Sequence, residues 1–445
     1  MIRCGRCPPG SLDCRADVFL VTIVLAGMVD GNFVKTQVEI ERRALGLISR
    51  PDVQQALKSL AAVWREGTTG CLPETYAQIQ ASIEEVVLLV ALQVVNGDAR
   101  RPKLVEISAG PHNWGGLDVP GGRWGINNPD TLYFAVPVEP GSRYVLHGRR
   151  DADRPVDVNL SIQTPDVWGT LENIGQWDLI IGTDGSYRIS VDDLAAEGRV
   201  NHLRIRPGGT VLLIRQTLAD WSRAVPDRLS VERVGGPPPA PPLSDDELAR
   251  QIIVRMATVI EHSLCTLQPP IFRLPVNTIP QPGAAADKPG YLVTQRNTLG
   301  HFRLRDDEAL LAVLTRGGAG YAAFTATNVW GVTPDPLRHQ NSLNSHQAAI
   351  DPDGSITLVV ANRDPGVLNW IDPGGLREGI LMLRWQLLGE HPSVAGEPGI
   401  SLRKIRHADL PTVIPTSMRR IDASGRQQQI EARAAAYRRR FLARY

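Results

Sequence analysis

Four landmarks occur twice in this chain, in the same order, and that duplication limits what it can fold into. Asp184-Gly185-Ser186 opens the alternating run YRISVDD and is followed by Gly198-x-x-Asn201, by Pro207-Gly208-Gly209 and by an apolar strand ending at Arg215. About 169 residues later, Asp353-Gly354-Ser355 opens ITLVVAN, followed by Gly366-x-x-Asn369, Pro373-Gly374-Gly375 and a strand ending at Arg384. Asp-Gly marks a tight turn, because glycine takes the left-handed backbone that short hairpins need, and alternation marks a strand with one buried face. Turns and strands repeated in order imply two related β-domains.

With 445 residues the chain has room for two or three domains. An apolar fraction of 42% and a charged fraction of 21% are those of a globular protein with an aqueous surface. The net charge of +1 leaves no excess of cations with which to release counterions, so nucleic acid is not an expected partner. Five cysteines are few, and three of them, Cys4, Cys7 and Cys14, fall near the start. Cys4-x-x-Cys7 is half of a zinc or redox motif whose second half does not follow, so no metal and no cofactor are expected. Reduced thiols of a cytoplasmic protein are the simpler reading.

The most apolar stretch runs from Val18 to Val29, too short for a helix to cross a bilayer. Arg3, Arg6 and Arg15 ahead of it outline a signal peptide, whereas Asp13, Asp17 and the lack of a small-x-small cleavage site argue against one. The expectation is a cytoplasmic protein without a membrane span, with export as the alternative.

The texture changes along the chain. Residues 1–32 are poorly defined, and residues 33–98 read as helices, with Pro51-Asp52 starting a second and Pro73 a third. The last of these is apolar nearly all round (IEEVVLLVALQVV), which predicts burial between domains. Residues 103–234 carry short runs such as TLYFAVPV and HLRIR between turn residues, the rhythm of a β-sandwich. Residues 235–268 are a proline-rich linker and a helix opened by the capping box Ser244-x-x-Glu247. A second sandwich or jelly roll follows over 269–410, and 411–445 is a basic helical tail. The expected fold class is mainly β with helical additions: two β-sandwich or jelly-roll domains, an N-terminal helical region and a helical linker.

Two segments concentrate polar and aromatic groups beyond what turns need. In the first, from Trp124 to Tyr133 (WGINNPDTLY), Asn128, Asp130 and Tyr133 can offer donors and acceptors at the mouth of a sandwich. The second spans Asn328 to Trp330, Ser342-Leu343-Asn344-Ser345-His346-Gln347, and Asp364 to Trp370. Its tryptophans suit flat or sugar-like ligands, and Asn344, His346 and Asn369 could fix orientation. Each segment also has a plain structural reading, as self-bonded turns and core aromatics.

These segments, with Thr217 to Trp221 (TLADW), SLNSHQA and DPGVLNWIDPGG…LMLRWQ, make the chain resemble the family known as domain of unknown function 1214, with a companion region of the 1254 type. The resemblance spans about residues 35 to 440. It implies a helical portion with two sandwich or jelly-roll domains and supplies no established reaction, so Asn128, Asp130, Tyr133, Asn344, Asn369, Trp370 and Arg384 carry over only as motif positions.

Three functions compete. The favoured one is binding of a small polar or amphipathic organic ligand, carbohydrate included, between the two β-domains by Trp124, Asn128, Asp130, Tyr133, Asn344, His346, Asn369, Trp370 and Arg384. The alternative is a hydrolase or lyase with Asp130 or His346 as proton carrier and Arg384 stabilising negative charge. The third is an assembly role, with the tail making a homo-oligomer. Arg215 and Arg384, equivalent in the repeat, also have a structural reading as bonds to the neighbouring domain.

Overall fold

The computed structural model describes residues 31–165, 169–284, 292–389 and 396–442. The cysteine cluster at Cys4, Cys7 and Cys14 and the apolar run 18–29 lie outside the described residues.

The first β-domain runs through β1 (Val105–Glu106), β2 (His112–Asn113), β3 (Asp118–Val119), β4 (Thr131–Pro137), β5 (Arg143–Arg149) and β6 (Asp157–Gln163). It continues with β7 (Thr170–Ile174), β8 (Ser186–Asp192), β9 (His202–Arg204), β10 (Val211–Thr217) and β11 (Arg228–Gly235). The second runs through β12 (Gly283–Ala284), β13 (Arg296–Arg303), β14 (Glu308–Thr315), β15 (Tyr321–Thr327) and β16 (Ser342–Asn344). Its last strands are β17 (Ile356–Val360), β18 (Trp370–Ile371), β19 (Glu378–Gln386) and β20 (Gly399–Arg406).

The two domains share one topology. The first stacks a five-stranded sheet, β1-β4-β10-β6-β7, on a four-stranded one, β11-β5-β8-β9. The second stacks β12-β13-β19-β15-β16 on β20-β14-β17-β18. Strands β4 to β11 therefore map one to one onto β13 to β20, down to the parallel pairs β8/β9 and β17/β18.

The repeated landmarks are the fastenings of this topology. Asp184 accepts from the Ser186 amide and hydroxyl at 3.0 and 2.7 Å, and Asp353 does the same for Ser355 at 2.9 and 2.6 Å. The intervening Gly185 and Gly354 have φ of 82° and 84°, which only glycine adopts without strain. Asn201 bonds both the amide and carbonyl of Ile180, at 2.9 and 2.7 Å. Asn369 bonds both groups of Ala349, at 2.8 and 2.7 Å. Each asparagine thus ties a parallel strand to the loop before the Asp-Gly-Ser turn.

Side chains alternate across the central strands. Leu212 and Ile214 enter the first sandwich core, and Leu381, Leu383 and Trp385 the second. Their neighbours Leu213 and Arg215, and Met382 and Arg384, face the other way. Both faces of these central strands are therefore buried, which explains why every residue of β19 is.

The outer faces meet a helical layer made of α1 (Gly31–Ile48), α2 (Pro51–Gly67), α3 (Ile79–Val95), α4 (Asp245–His262) and α5 (Gln268–Phe272). One apolar cluster joins the first four helices to Ile107, Trp124 and Leu213 of the first domain and to Val329 and Trp330 of the second. Helix α3 with the turn before it is long and apolar enough to cross a membrane, but it is mostly buried inside the molecule. Its buried Glu85 receives the Arg123 guanidinium at 3.0 Å, which makes a charge tolerable there. The capping box forms at α4: the Glu247 amide donates to the Ser244 hydroxyl at 3.3 Å, and Glu247 accepts from the Ser244 amide at 2.9 Å.

After the short α6 (Leu410–Val413), helix α7 (Ala423–Leu442) lies across both domains. Arg426 pairs with Asp364 at 2.9 Å and covers the Trp370 ring at 4.7 Å. Arg433 and Arg440 both cover Trp221, at 4.1 and 4.5 Å, and Arg440 also donates to the Pro129 carbonyl. The basic tail is an internal strap.

Candidate functional site

A cavity of about 150 Å³ opens where the helical layer meets the outer faces of both five-stranded sheets. Leu89 and Gln93 of α3, His262 at the end of α4 and Leu267 form its helical wall. The first domain contributes Ile107, Ser108, the loop from Trp124 to Asn128, Thr131, Tyr133, Leu213 and Arg215. The second contributes Leu292, Gln295, Leu299, Met382, Arg384 and Gln386.

Arg215 and Arg384 are the same position in the repeat. In β10, Arg215 stands opposite Tyr133 of β4 and Asn159 of β6; in β19, Arg384 stands opposite Asn297 of β13 and Ala323 of β15. Each leans on a hydroxyl two residues along the neighbouring strand. Arg215 donates to Ser161 at 3.5 Å and Arg384 to Thr325 at 3.4 Å. Arg384 also donates to the Ile126 carbonyl. Burial pushes the Arg215 guanidinium down to about 10; Tyr133 opposes this shift and the Arg384 charge adds to it. Burial likewise lowers His262, which favours its neutral imidazole near pH 7. Buried Gln386 makes one long bond, 3.4 Å to Gln295, and its carbonyl oxygen has no hydrogen-bond partner among the described residues.

The loop from Trp124 to Asn128 is held by the second domain. The Trp124 indole donates to the Trp330 carbonyl, and the Ile126 amide to the Gly331 carbonyl, both at 2.9 Å. Ile126 consequently sits at φ 53°, a left-handed conformation that a β-branched side chain resists. Such strain, of order 1–3 kcal/mol, persists only where the surroundings over-determine it.

The sequence reading gathers nine residues at one ligand cleft, and the structure brings four of them to the cavity: Trp124, Asn128, Tyr133 and Arg384. The other five do not line it. Asp130 is fully buried and accepts from the Trp221 indole at 2.8 Å, the Tyr321 hydroxyl at 2.5 Å and the Asn344 amide at 2.9 Å. Asp130 and Asn344 thus form a polar clasp between the domains, to which Asn128 adds a 2.8 Å bond to the Tyr321 hydroxyl. Burial and Asp130 raise the Tyr321 hydroxyl well above its usual range, so it stays a donor.

His346 lies 3.3 Å from the Gly320 carbonyl, and its amide is capped by Asn344 at 2.9 Å. Asn369 fastens the repeat turn, as Asn201 does in the first domain. Trp370 donates to Ala361 at 2.7 Å beneath Arg426. The ring-stacking role expected of Trp330 and Trp370 is not available, since Trp330 is wholly buried against Trp64. Asp130 and His346 do not line the cavity that Arg384 lines, so the expected proton carriers and the expected stabiliser of negative charge are not brought together there.

Sequence reasoning passed over Arg215, His262, Gln295 and Gln386 as site residues. Arg215 was visible through its repeat equivalence with Arg384. His262 is marked by no motif; only the packing of α4 brings it to the cavity.

No family model matches the chain, and no curated protein matches it. Among solved structures, it is similar to an uncharacterised protein from Burkholderia cenocepacia, with 23% identity over 83% of this chain and 99% of the other and a TM-score of 0.69. A Vibrio parahaemolyticus protein with 11% identity covers 62% of this chain and 90% of its own length, at a TM-score of 0.37. The first likeness shows a shared fold.

Proposed function

We propose that the protein binds a small amphipathic organic molecule in the cavity between its two β-domains. One observation carries this reading: the duplicated arginines and a mainly apolar lining converge on a single cavity of about 150 Å³. A cavity of about that size suits a benzene-sized body. Mixed lining of this kind is the usual character of a small-molecule site. The resemblance to the domain of unknown function 1214 family belongs to the same proposal and adds no ligand to it.

A thermal-shift screen of small organic acids, amides, alcohols and sugars tests the proposal. A ligand at 100 times its Kd should stabilise the fold by about 2.7 kcal/mol. Leu299→Trp, which fills the cavity, should abolish that gain. Stabilisation that survives Leu299→Trp, or a screen in which nothing stabilises, overturns the proposal.

A lyase or hydrolase reading is favoured by one feature, a His262 imidazole that burial keeps neutral in the lining of the same cavity. Under that reading His262→Gln would remove turnover of the bound molecule while leaving its binding intact.

A further inference from the structure

We infer that the cavity is a site for the carboxylate of a small organic acid, gripped jointly by Arg215 and Arg384. The inference rests on the binding reading above and narrows it to one chemical class.

Duplication put the same cation on both walls. Arg215 and Arg384 occupy equivalent registers of the two central strands, and each is steadied by a hydroxyl at an equivalent place, Ser161 or Thr325. Two guanidiniums brought to one small cavity repel each other, and the Arg384 charge contributes to the lowered pKa of Arg215. A single negative charge placed between them replaces that repulsion with two attractions, which are stronger away from water than at the surface. The planar guanidinium fork also matches the two oxygens of a carboxylate, so the pair selects shape as well as sign.

The rest of the lining sets the body of the acid. Trp124, Leu213, Leu299 and Met382 offer apolar surface that a bare inorganic anion would leave uncovered. The volume suits a ring or chain of about six carbons. A sugar phosphate or nucleotide exceeds it.

Calorimetric titration of the full chain decides the matter with matched probes: benzoate against benzamide, hexanoate against hexanamide, and sodium sulfate alone. Each acid should bind at least about tenfold more tightly than its amide, the difference expected of a charge-assisted bidentate contact. Sulfate should bind more weakly than benzoate. Arg215→Gln and Arg384→Gln should each cut the preference for acid over amide several-fold, and the double variant should abolish it. Arg384→Lys, which keeps the charge, should retain part of the preference.

The wild-type comparison needs no variant to fold. Equal affinity for acid and amide overturns the carboxylate assignment and leaves the binding reading standing. Sulfate binding as tightly as benzoate overturns it too, in favour of a plain anion site. If no acid, amide or sulfate binds, and the wider screen is also blank, both readings fall together.

Discussion

Asp130 shows how a residue that looks reactive in a sequence can be structural in a fold. A carboxylate beside Asn, Pro and Tyr in a turn suggests a proton carrier, but every observed contact spends it on holding. Trp221, Tyr321 and Asn344 all donate to it, at 2.8, 2.5 and 2.9 Å, and Tyr321 and Asn344 come from the other β-domain. Asp130→Ala would leave three buried donors unanswered, each worth about 1–3 kcal/mol. The expected loss is about 3–5 kcal/mol, measured by urea denaturation with Trp221 fluorescence as a local reporter. A loss under about 1 kcal/mol would mean that the clasp contributes little. The asymmetry between Asp130 and Arg384 explains what was legible at this scale. A motif identifies residues that depend on their neighbours, but partners 91 to 214 positions away decide whether the side chain faces a cavity or a bond. Arg384 and Arg215 were readable because the repeat supplied a second copy for comparison.

At the scale of elements, local signals did well and docking signals did poorly. The capping box at Ser244, the Asp-Gly-Ser turns and the apolar run of α3 each carry their instruction within a few residues, so they can be read directly. The attachment of the helical layer to the second sandwich cannot be, because it depends on a carboxylate in β19. Glu378 accepts from the Leu72 amide at 2.6 Å, from Thr75 at 2.8 Å and from Arg303 at 2.5 Å, and it lies 2.9 Å from His301. Burial alone would push its pKa up. The hydrogen bonds from His301, Leu72, Arg303 and Thr75 outweigh that and hold it at about 2. A carboxylate whose pKa is lower folded than unfolded adds stability above its unfolded value and loses it as pH falls. The loss should therefore run from about pH 5 toward pH 2. Glu378→Gln should cost about 2–3 kcal/mol at pH 7. Its stability should also decline less steeply than wild type between pH 5 and pH 3 in denaturant titrations. Parallel pH curves for the two proteins would show that Glu378 is not a source of the acid sensitivity.

The whole molecule is two copies of one sandwich closed on each other by parts that are not duplicated: the helical layer on one side and helix α7 on another. Closure of this kind buries the outer faces of both central sheets, and the cavity with its two arginines is what remains unfilled between them. The role of α7 follows from where its cations go. Burial pushes Arg433 down to about 10, partly countered by the Asp130 charge, and its guanidinium donates to Ser342 of the second domain at 2.8 Å while covering Trp221 of the first. Arg440 repeats the contact with Trp221 and reaches Pro129. Groups committed in this way hold the seam between the two domains. Removal of residues 423–445 should therefore cost about 3 kcal/mol or more, from two cation–π contacts of about 0.5–2 kcal/mol each and the lost hydrogen bonds. Trp221 should become solvated, with a red-shifted emission, and light scattering should report the same subunit number before and after truncation. Dissociation of a defined oligomer on truncation, with Trp221 emission unmoved, would instead assign the arginines to a contact between chains. Because the strap closes the same seam that holds the cavity, the truncated protein should also bind benzoate more weakly even though no arginine of α7 lines the site.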